Sequence, residues 1–467
     1  MNPPDPLKNQ NSRRLTEHVF RREYAKLVAL LTNRFGPVHL ESIEEAVQEA
    51  FVAALRVWDY RGVPANAVAW LHTVARNKLR NILRRDQRLV SDDDAQALES
   101  FADAPGPVSS AGAAAEEIQD SLLRMMFVCC HPRLSGESQA ALILKTLCGF
   151  SVAEIAAALL SAETAIQKRL VRARKTMRDA ALTMELPPAA ELPARLAGVL
   201  TALYLLFNEG YKSNRPPPPD FGSVVDPGFN PESESEPGSE SGSEYDLTAH
   251  SRSILIRREI CEEAIGLLEV LLQSETFRDD PEVLACGALF ELNAARFTAR
   301  QDEHGEILRM ADQDRGLWDR ERIERGIAYL ERASVAGSVS RYHIQAAISA
   351  HHCAAPDFSA TDWPAILALY DAWLALEDSP LLRLNRAVAV ARVRGAEQAI
   401  AELGDLSEEP ALREYYLYDA TLGELCFEAK RFEQARAHFA AAIRRAPALV
   451  ERRLLRRRMA ECAAANP

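Results

Sequence analysis

Between Ser42 and Trp58 apolar residues return every three or four positions, at Ile43, Ala46, Val47, Ala50, Phe51, Ala54, Leu55 and Trp58, the period of a helix with one buried face. The same period runs through Trp70, Leu71, Val74, Ala75, Leu79, Ile82 and Leu83, then through Ile155, Ala156 and Leu159, and again through Ile166, Leu170, Ala173 and Met177. Phe35-Gly36-Pro37 and Arg61-Gly62-Val63-Pro64 punctuate the first of these stretches, since glycine and proline end helices. Ala, Leu, Glu and Arg dominate the chain, a composition that favours helices over sheets. The pattern predicts an all-α protein.

The 467 residues exceed what one ordinary core organises. The periodicity predicts a helical domain over 13–90, a second over 118–183 and a long helical body over 190–460. Between the first two, Ser91 to Ala115 is rich in Asp, Ala, Ser, Pro and Gly without apolar period, so 91–117 reads as an acidic flexible tether. The body is interrupted at 214–246 by a four-proline run and the tract Glu232-Ser233-Glu234-Ser235-Glu236. Such a segment cannot bury a core and reads as a disordered insertion, with mimicry of DNA a remote alternative.

Charge changes the picture, because the net value of −12 hides a segregation. Residues 1–90 hold fifteen Lys/Arg against nine Asp/Glu, residues 91–120 no base and eight acids, residues 121–180 nine bases against four acids. The remainder carries −15 and by the electrostatic test is an unlikely DNA surface, so DNA binding is expected in the first 180 residues.

Three helices carry candidate chemistry. On the first, Glu41, Glu44, Glu45, Gln48 and Glu49 gather in the N-terminal half, where acids suit the helix dipole and make either a solvated face or a docking face. On the second, Arg76, Asn77, Arg80, Asn81 and Arg84 point away from the apolar stripe. Guanidinium groups bind phosphates and amides read base edges, although a merely solvated basic helix has the same pattern. The third lies in Phe150 to Arg174, FSVAEIAAALLSAETAIQKRLVRAR, which scans as helix-turn-helix. Ser151 is placed to cap the first helix with Glu154 three residues on, and Gln167, Lys168, Arg169, Arg172, Arg174, Lys175 and Arg178 are left outside the second, a geometry suited to a DNA groove. Its turn has Leu160-Ser161 where glycine is common.

These motifs, in this order, resemble extracytoplasmic-function sigma factors. EEAVQEAFVAAL at Glu44 to Leu55 resembles the family's polymerase-clamp-binding helix, AWLHTVARNKLRNILRR at Ala69 to Arg85 its helix for the −10 promoter element, and the Asp59 to Ala67 loop the one that captures a flipped base. AEIAAALLSAETAIQKRLVRARKTMR is similar to the −35-reading helix-turn-helix. The resemblance implies Glu44, Glu45, Gln48 and Glu49 on core RNA polymerase, and Arg61, Trp70, Arg76, Asn77, Arg80, Asn81 and Arg84 on −10 DNA. Thr164, Gln167, Lys168, Arg169, Arg172, Arg174 and Lys175 fall to −35 DNA. LYLLFNEGY at Leu203, GLWDR at Gly316, YHIQAAI at Tyr342 and LNRAVAVA at Leu384 resemble the sigma group with a tetratricopeptide-like C-terminal extension; the insertion at 214–246 departs from it.

The repeat reading also stands on spacing. Leu422, Gly423, Ala435, Phe439, Ala442 and Pro447 sit at the offsets of one tetratricopeptide unit, and Ala387 and Ala399 repeat the small-residue positions 36 residues earlier. Stacked pairs of this kind build a concave surface for a protein or peptide partner, or serve within the chain alone. Regulation of the N-terminal domains is the expected role.

Other classes are set aside. No apolar run reaches the ~18 to 20 residues of a membrane helix and Met1 to Arg14 lacks a signal-peptide core, so a cytoplasmic protein is expected. Its eight cysteines show no paired spacing and are read as free thiols. Cys129-Cys130-His131 and His351-His352-Cys353 are adjacent residues that rarely converge on one ion, and neither a metal nor a cofactor is expected. No nucleotide loop, nucleophile elbow or zincin motif argues for an enzyme. The competing reading is a DNA-binding helical-repeat adaptor that never joins polymerase.

Overall fold

A computed structural model describes residues 23–87 except 63 and 65, 111–211 except 160, and 258–465 except 338, 405, 407, 414, 447 and 448. Among these residues there is no strand beyond one antiparallel bridge, Gln301 to Ile307, and no helix long and apolar enough to cross a membrane. The all-α architecture expected from composition is the architecture found. The insertion at 214–246 lies outside the described residues.

The chain forms two compact units. The first spans residues 1–210, 258–290 and 329–338; the second spans 211–257, 291–328 and 339–467. The stretch expected to form one body from 190 to 460 is therefore shared between them. The reason is packing: Phe207 stacks on Phe290 at 4.3 Å between ring centres, and Phe277 stacks on Phe127 at 5.3 Å, so the later helices complete the core begun by the earlier ones.

In the first unit, α1 (23–35), α2 (Leu40–Arg61) and α3 (Ala67–Gln87) form one module. Gly36 and Gly62 supply the breaks between them with φ of 88° and 76°, as the punctuation predicts. Ile43, Ala46, Val47, Ala50, Phe51 and Ala54 of α2 are buried, and Trp58 meets Trp70 across the corner at 5.5 Å. Leu55 departs from the expected face and is 52% exposed.

The second module begins with α4 (Ala111–Cys129), which starts inside the stretch read as tether. Its opening, Ala-Gly-Ala-Ala-Ala-Glu-Glu, is rich in the strongest helix former, which composition read as a linker conceals. Then come α5 (Gly136–Thr146), α6 (Val152–Ala158) and α7 (Glu163–Asp179). Gln119 of α4 donates to Gln273 at 2.6 Å, on a later helix of the same unit, α9 (Arg258–Gln273), which follows α8 (Leu192–Tyr211). The Cys129 thiol contacts Thr146 Oγ1 at 3.5 Å, and burial pushes it up to about 12.

The second unit is a stack of paired helices: α10 (Arg341–Ala354), α11 (Trp363–Leu376), α12 (Pro380–Arg394), α13 (Ala396–Gly404), α14 (Tyr416–Glu428), α15 (Phe432–Arg445) and α16 (Leu449–Ala465). Ser379 caps α12, accepting from Leu382 N at 3.2 Å, with Pro380 at the first helical position where its missing N–H costs nothing. Ala387, Ala399, Leu422, Ala435, Phe439 and Ala442 are buried, as repeat spacing predicts; Pro447 lies outside the described residues. Small size decides at Gly423, where an added Cβ would lie 2.7 Å from Phe439 Cε1 and 2.8 Å from Cδ1, with the ring itself fully buried. Gly423→Ala is expected to cost about 1–3 kcal/mol by forcing α14 and α15 apart, read as a lower denaturation midpoint, with partial recovery in Gly423→Ala/Phe439→Leu. An unchanged midpoint contradicts this packing.

Candidate nucleic-acid interface

The helix-turn-helix is built locally. Ser151 Oγ accepts from Glu154 N at 3.2 Å while Ser151 N donates to Glu154 Oε2 at 2.8 Å, a reciprocal cap that starts α6 where the sequence predicts. Ile155 and Ala156 turn inward. Leu159 has φ −96° and Ala162 φ −70°, so these turn positions suit ordinary residues without glycine; Leu160 lies outside the described residues. Arg169 fastens the turn, with Nη1 donating to Ser161 Oγ at 3.0 Å and Nη2 paired to Glu137 of α5 at 2.6 Å.

Ile166, Leu170, Ala173 and Met177 form the buried stripe of α7. Thr164, Gln167, Lys168, Arg172 and Lys175 are all exposed. Thr164, Lys168, Arg172 and Lys175 follow one another at three- and four-residue steps, so hydroxyl, ammonium and guanidinium donors line one outward face. Val171, 59% exposed, lies on that face and escaped the sequence reading because it was not polar; an apolar group there can meet a thymine methyl.

Arg174 is the exception. It is turned to the opposite flank, where it pairs with Glu44 of α2. Glu44 retains only 5% of its side-chain exposure and Arg174 14%. The pair thus joins the two modules, reinforced by Asn33 Nδ2 donating to Ser121 Oγ at 3.2 Å. Gly149, at φ 65°, lets the Tyr24 ring approach to 3.1 Å from where a Cβ would stand. Burial raises the Glu44 carboxyl above its ordinary range, opposed by Arg174 and then Lys145.

The other carboxylates of α2 are arranged differently. Glu45, Gln48 and Glu49 are exposed, and Glu49 pairs with Lys78 of α3 at 2.6 Å. Val52, at 48% exposure, and Leu55 continue the same face, which is therefore mixed acidic and apolar, the make-up of a protein-docking surface. The sequence reading missed Val52 and assigned Leu55 to the core.

On α3, Asn77, Asn81 and Arg84 are exposed, and Trp70, Arg76 and Arg80 half-buried. His72 joins them: burial first, then the charges of Arg76 and Arg34, lower its pKa, a sign of positive potential on this face. Of the stretch expected as a loop, Asp59 to Arg61 are the end of α2 and Ala67 opens α3, while the Arg61 side chain, Val63 and Ala65 lie outside the described residues.

A helix-turn-helix with an outward cationic stripe, joined to a helical module with its own basic face, defines a DNA-binding transcription protein. Sigma-70 region 2 matches residues 19–89 and sigma-70 region 4 matches residues 124–177. A family of unknown function, DUF6596, matches residues 244–334. An uncharacterized protein of Rhizobium meliloti (strain 1021) is 34% identical over 405 residues, which span 87% of this chain and 86% of that protein. No solved structure matches the chain. The chain belongs to the sigma-70 family, as a sigma factor of the extracytoplasmic-function-like type with a helical C-terminal extension. It acts in promoter recognition, with core RNA polymerase and promoter DNA as its partners.

Two outcomes test the intermodule pair. Because the folded state holds the Glu44 proton more tightly than the unfolded chain, the stability this group contributes is fully present below the ordinary carboxylate range and is lost as pH rises through the raised value. Denaturation of wild type and Glu44→Gln across pH 4.5 to 8 is expected to show that pH-dependent difference; parallel curves contradict it. Arg174→Ala, which strands a buried carboxylate, is expected to destabilise the first unit by about 3–5 kcal/mol at neutral pH, read by the same unfolding curves.

Proposed function

We propose that the two modules divide promoter recognition as follows. The face of α2 bearing Glu45, Gln48, Glu49, Val52 and Leu55 docks on core polymerase. The α3 face with Arg76, Asn77, Arg80, Asn81 and Arg84, together with Trp70 and the Arg61 loop, engages the −10 element. Capture of an unstacked base there offsets the few kcal/mol of unpairing. Thr164, Gln167, Lys168, Arg172 and Lys175 read the −35 element. The observation that carries this reading is the outward donor stripe of α7, opposite a flank committed to protein contacts. Arg169 and Arg174 then act first as positioning residues for that stripe.

The Glu44 to Arg174 contact belongs to the unbound chain. Elements at −10 and −35 lie about 25 base pairs apart, about 85 Å at ~3.4 Å per base pair, whereas the ion pair holds α2 and α7 in contact. Joining polymerase and promoter therefore separates the modules, and the pair's rupture is part of the cost of assembly. Burial makes the released charges less expensive to part than their proximity implies, because both regain water.

For the second unit we propose regulation through a partner protein or peptide. A concave pocket of about 420 Å³ is lined by His352, Phe358, Trp363, Tyr370, Asn385 and Val388 among others, apolar enough to take an anchoring side chain. Truncation after α7 would cut through the first unit, so a point change is the cleaner probe: Val388→Trp is expected to leave initiation by purified components unchanged while altering promoter output in cells at least twofold. Unchanged output in both settings contradicts regulation through this pocket.

In vitro transcription with core polymerase is expected to start discrete transcripts with wild type. Initiation should fall at least tenfold with Lys168→Ala/Arg172→Ala and be lost with Glu45→Arg/Gln48→Ala/Glu49→Arg. DNA binding without initiation would support the adaptor reading instead.

A further inference from the structure

The second unit is acidic on average, yet one segment reverses the sign. Residues 444–458, RRAPALVERRLLRRR, hold seven arginines and one acid. Four of these charges serve the fold, Arg452 among them by donating to the Ala446 carbonyl at 2.8 Å. Arg458 is buried and pairs with Glu424 at 2.7 Å and with Glu461, and Arg445 pairs with Asp419. The single acid, Glu451, is buried and accepts from the Tyr416 hydroxyl at 2.7 Å. Arg453 pairs with Glu306 at 2.9 Å.

The remainder is different. Arg444, Arg456 and Arg457 are exposed, and among the described residues no carboxylate lies within ion-pairing distance of any of them. Arg457 donates to the carbonyl of Ile307 at 3.1 Å, a contact that orients the guanidinium without neutralising it. Arg453, Arg456 and Arg457 share the outward face of α16, since Val450, Leu455 and Cys462 define the buried one. Like charges three and four residues apart on one helix repel; Glu306 answers Arg453 and Asp312 lies within the field of Arg457, but the three arginines without an ion pair keep an excess of positive charge that the helix dipole does not offset in mid-helix. An external polyanion would.

We infer that the outward face of α16, with Arg444 at the end of α15, contacts DNA phosphates in the promoter complex, independently of base sequence. The choice of phosphate over an acidic protein rests on what the face lacks. Among the described residues of the segment Leu449 is the one exposed large apolar residue and α16 itself carries no aromatic side chain, whereas protein interfaces are anchored by buried aromatic and apolar groups. Planar guanidinium forks suit phosphate oxygens. The inference rests on the sigma-factor reading, which places DNA beside the protein.

The test uses holoenzyme reconstituted from core polymerase and the full chain, with promoter DNA titrated from 0.05 to 0.3 M salt. Arg444→Ala/Arg456→Ala/Arg457→Ala is expected to flatten the dependence of log affinity on log salt by about 2–3 and to weaken binding on the order of tenfold at low salt. Start sites should stay the same, and the corresponding triple lysine variant should restore most of the loss. An unchanged slope and affinity overturn the inference, as does weakened assembly with core at an unchanged DNA slope, which would assign the face to an acidic surface of polymerase. A wild-type holoenzyme that starts no transcripts fails earlier, at the sigma-factor reading, and takes this inference with it.

Discussion

The buried contact between Glu44 and Arg174 decides how the first unit presents its chemistry. A carboxylate with so little exposure needs a cation, and the cation within reach comes from a helix 130 positions later in the chain. Once Arg174 is committed to α2, and Leu170, Ala173 and Met177 to their own module's core, the rotation of α7 is set. The side that remains outside carries Thr164, Lys168, Arg172 and Lys175. On α2 the same commitment separates Glu44 from Glu45, Gln48 and Glu49, which remain on the surface.

If assembly separates the modules as proposed, part of the binding free energy goes into parting what the unbound chain holds together. The intermodule contact combines one buried ion pair, the Asn33 to Ser121 hydrogen bond and the approach of Tyr24 to Gly149. These are specific but few, and a contact of this size suits an equilibrium that polymerase can shift by preferring the separated form. On that proposal the pair sets a threshold for assembly, and the loss of its contribution to stability as pH rises follows from the burial of Glu44.

Much of this was legible in the sequence where local physics governs. Ser151 and Glu154 announce a helix start because a capping box needs only residues three apart, and Ile166, Leu170, Ala173 and Met177 announce a buried stripe because the helical period is local. Glu44 could not be distinguished from Glu45 in that way, since what separates them is a partner far along the chain. Leu55 fits the period of the core yet falls on its flank beside Val52, while Trp58 further along the helix still packs. Ala111 to Ala115 are helical within a segment whose average composition reads as linker, and the arginines of α16 sit within a body whose summed charge is negative. In each case an average over a window masked a decision made by a few atoms.

On the proposed division of promoter recognition, the α2 to α7 contact is made in the free protein and broken in the holoenzyme. Seven of the eight native thiols are buried and Cys353 is half-buried, with burial pushing Cys353 up to about 11, so dyes can be directed to Thr73→Cys and Asp179→Cys in a Cys353→Ser background. Energy transfer between them is predicted to be high in the free chain and to collapse, as the dyes move tens of ångström apart, when core polymerase is added. Transfer that stays high in a transcribing holoenzyme would contradict the account.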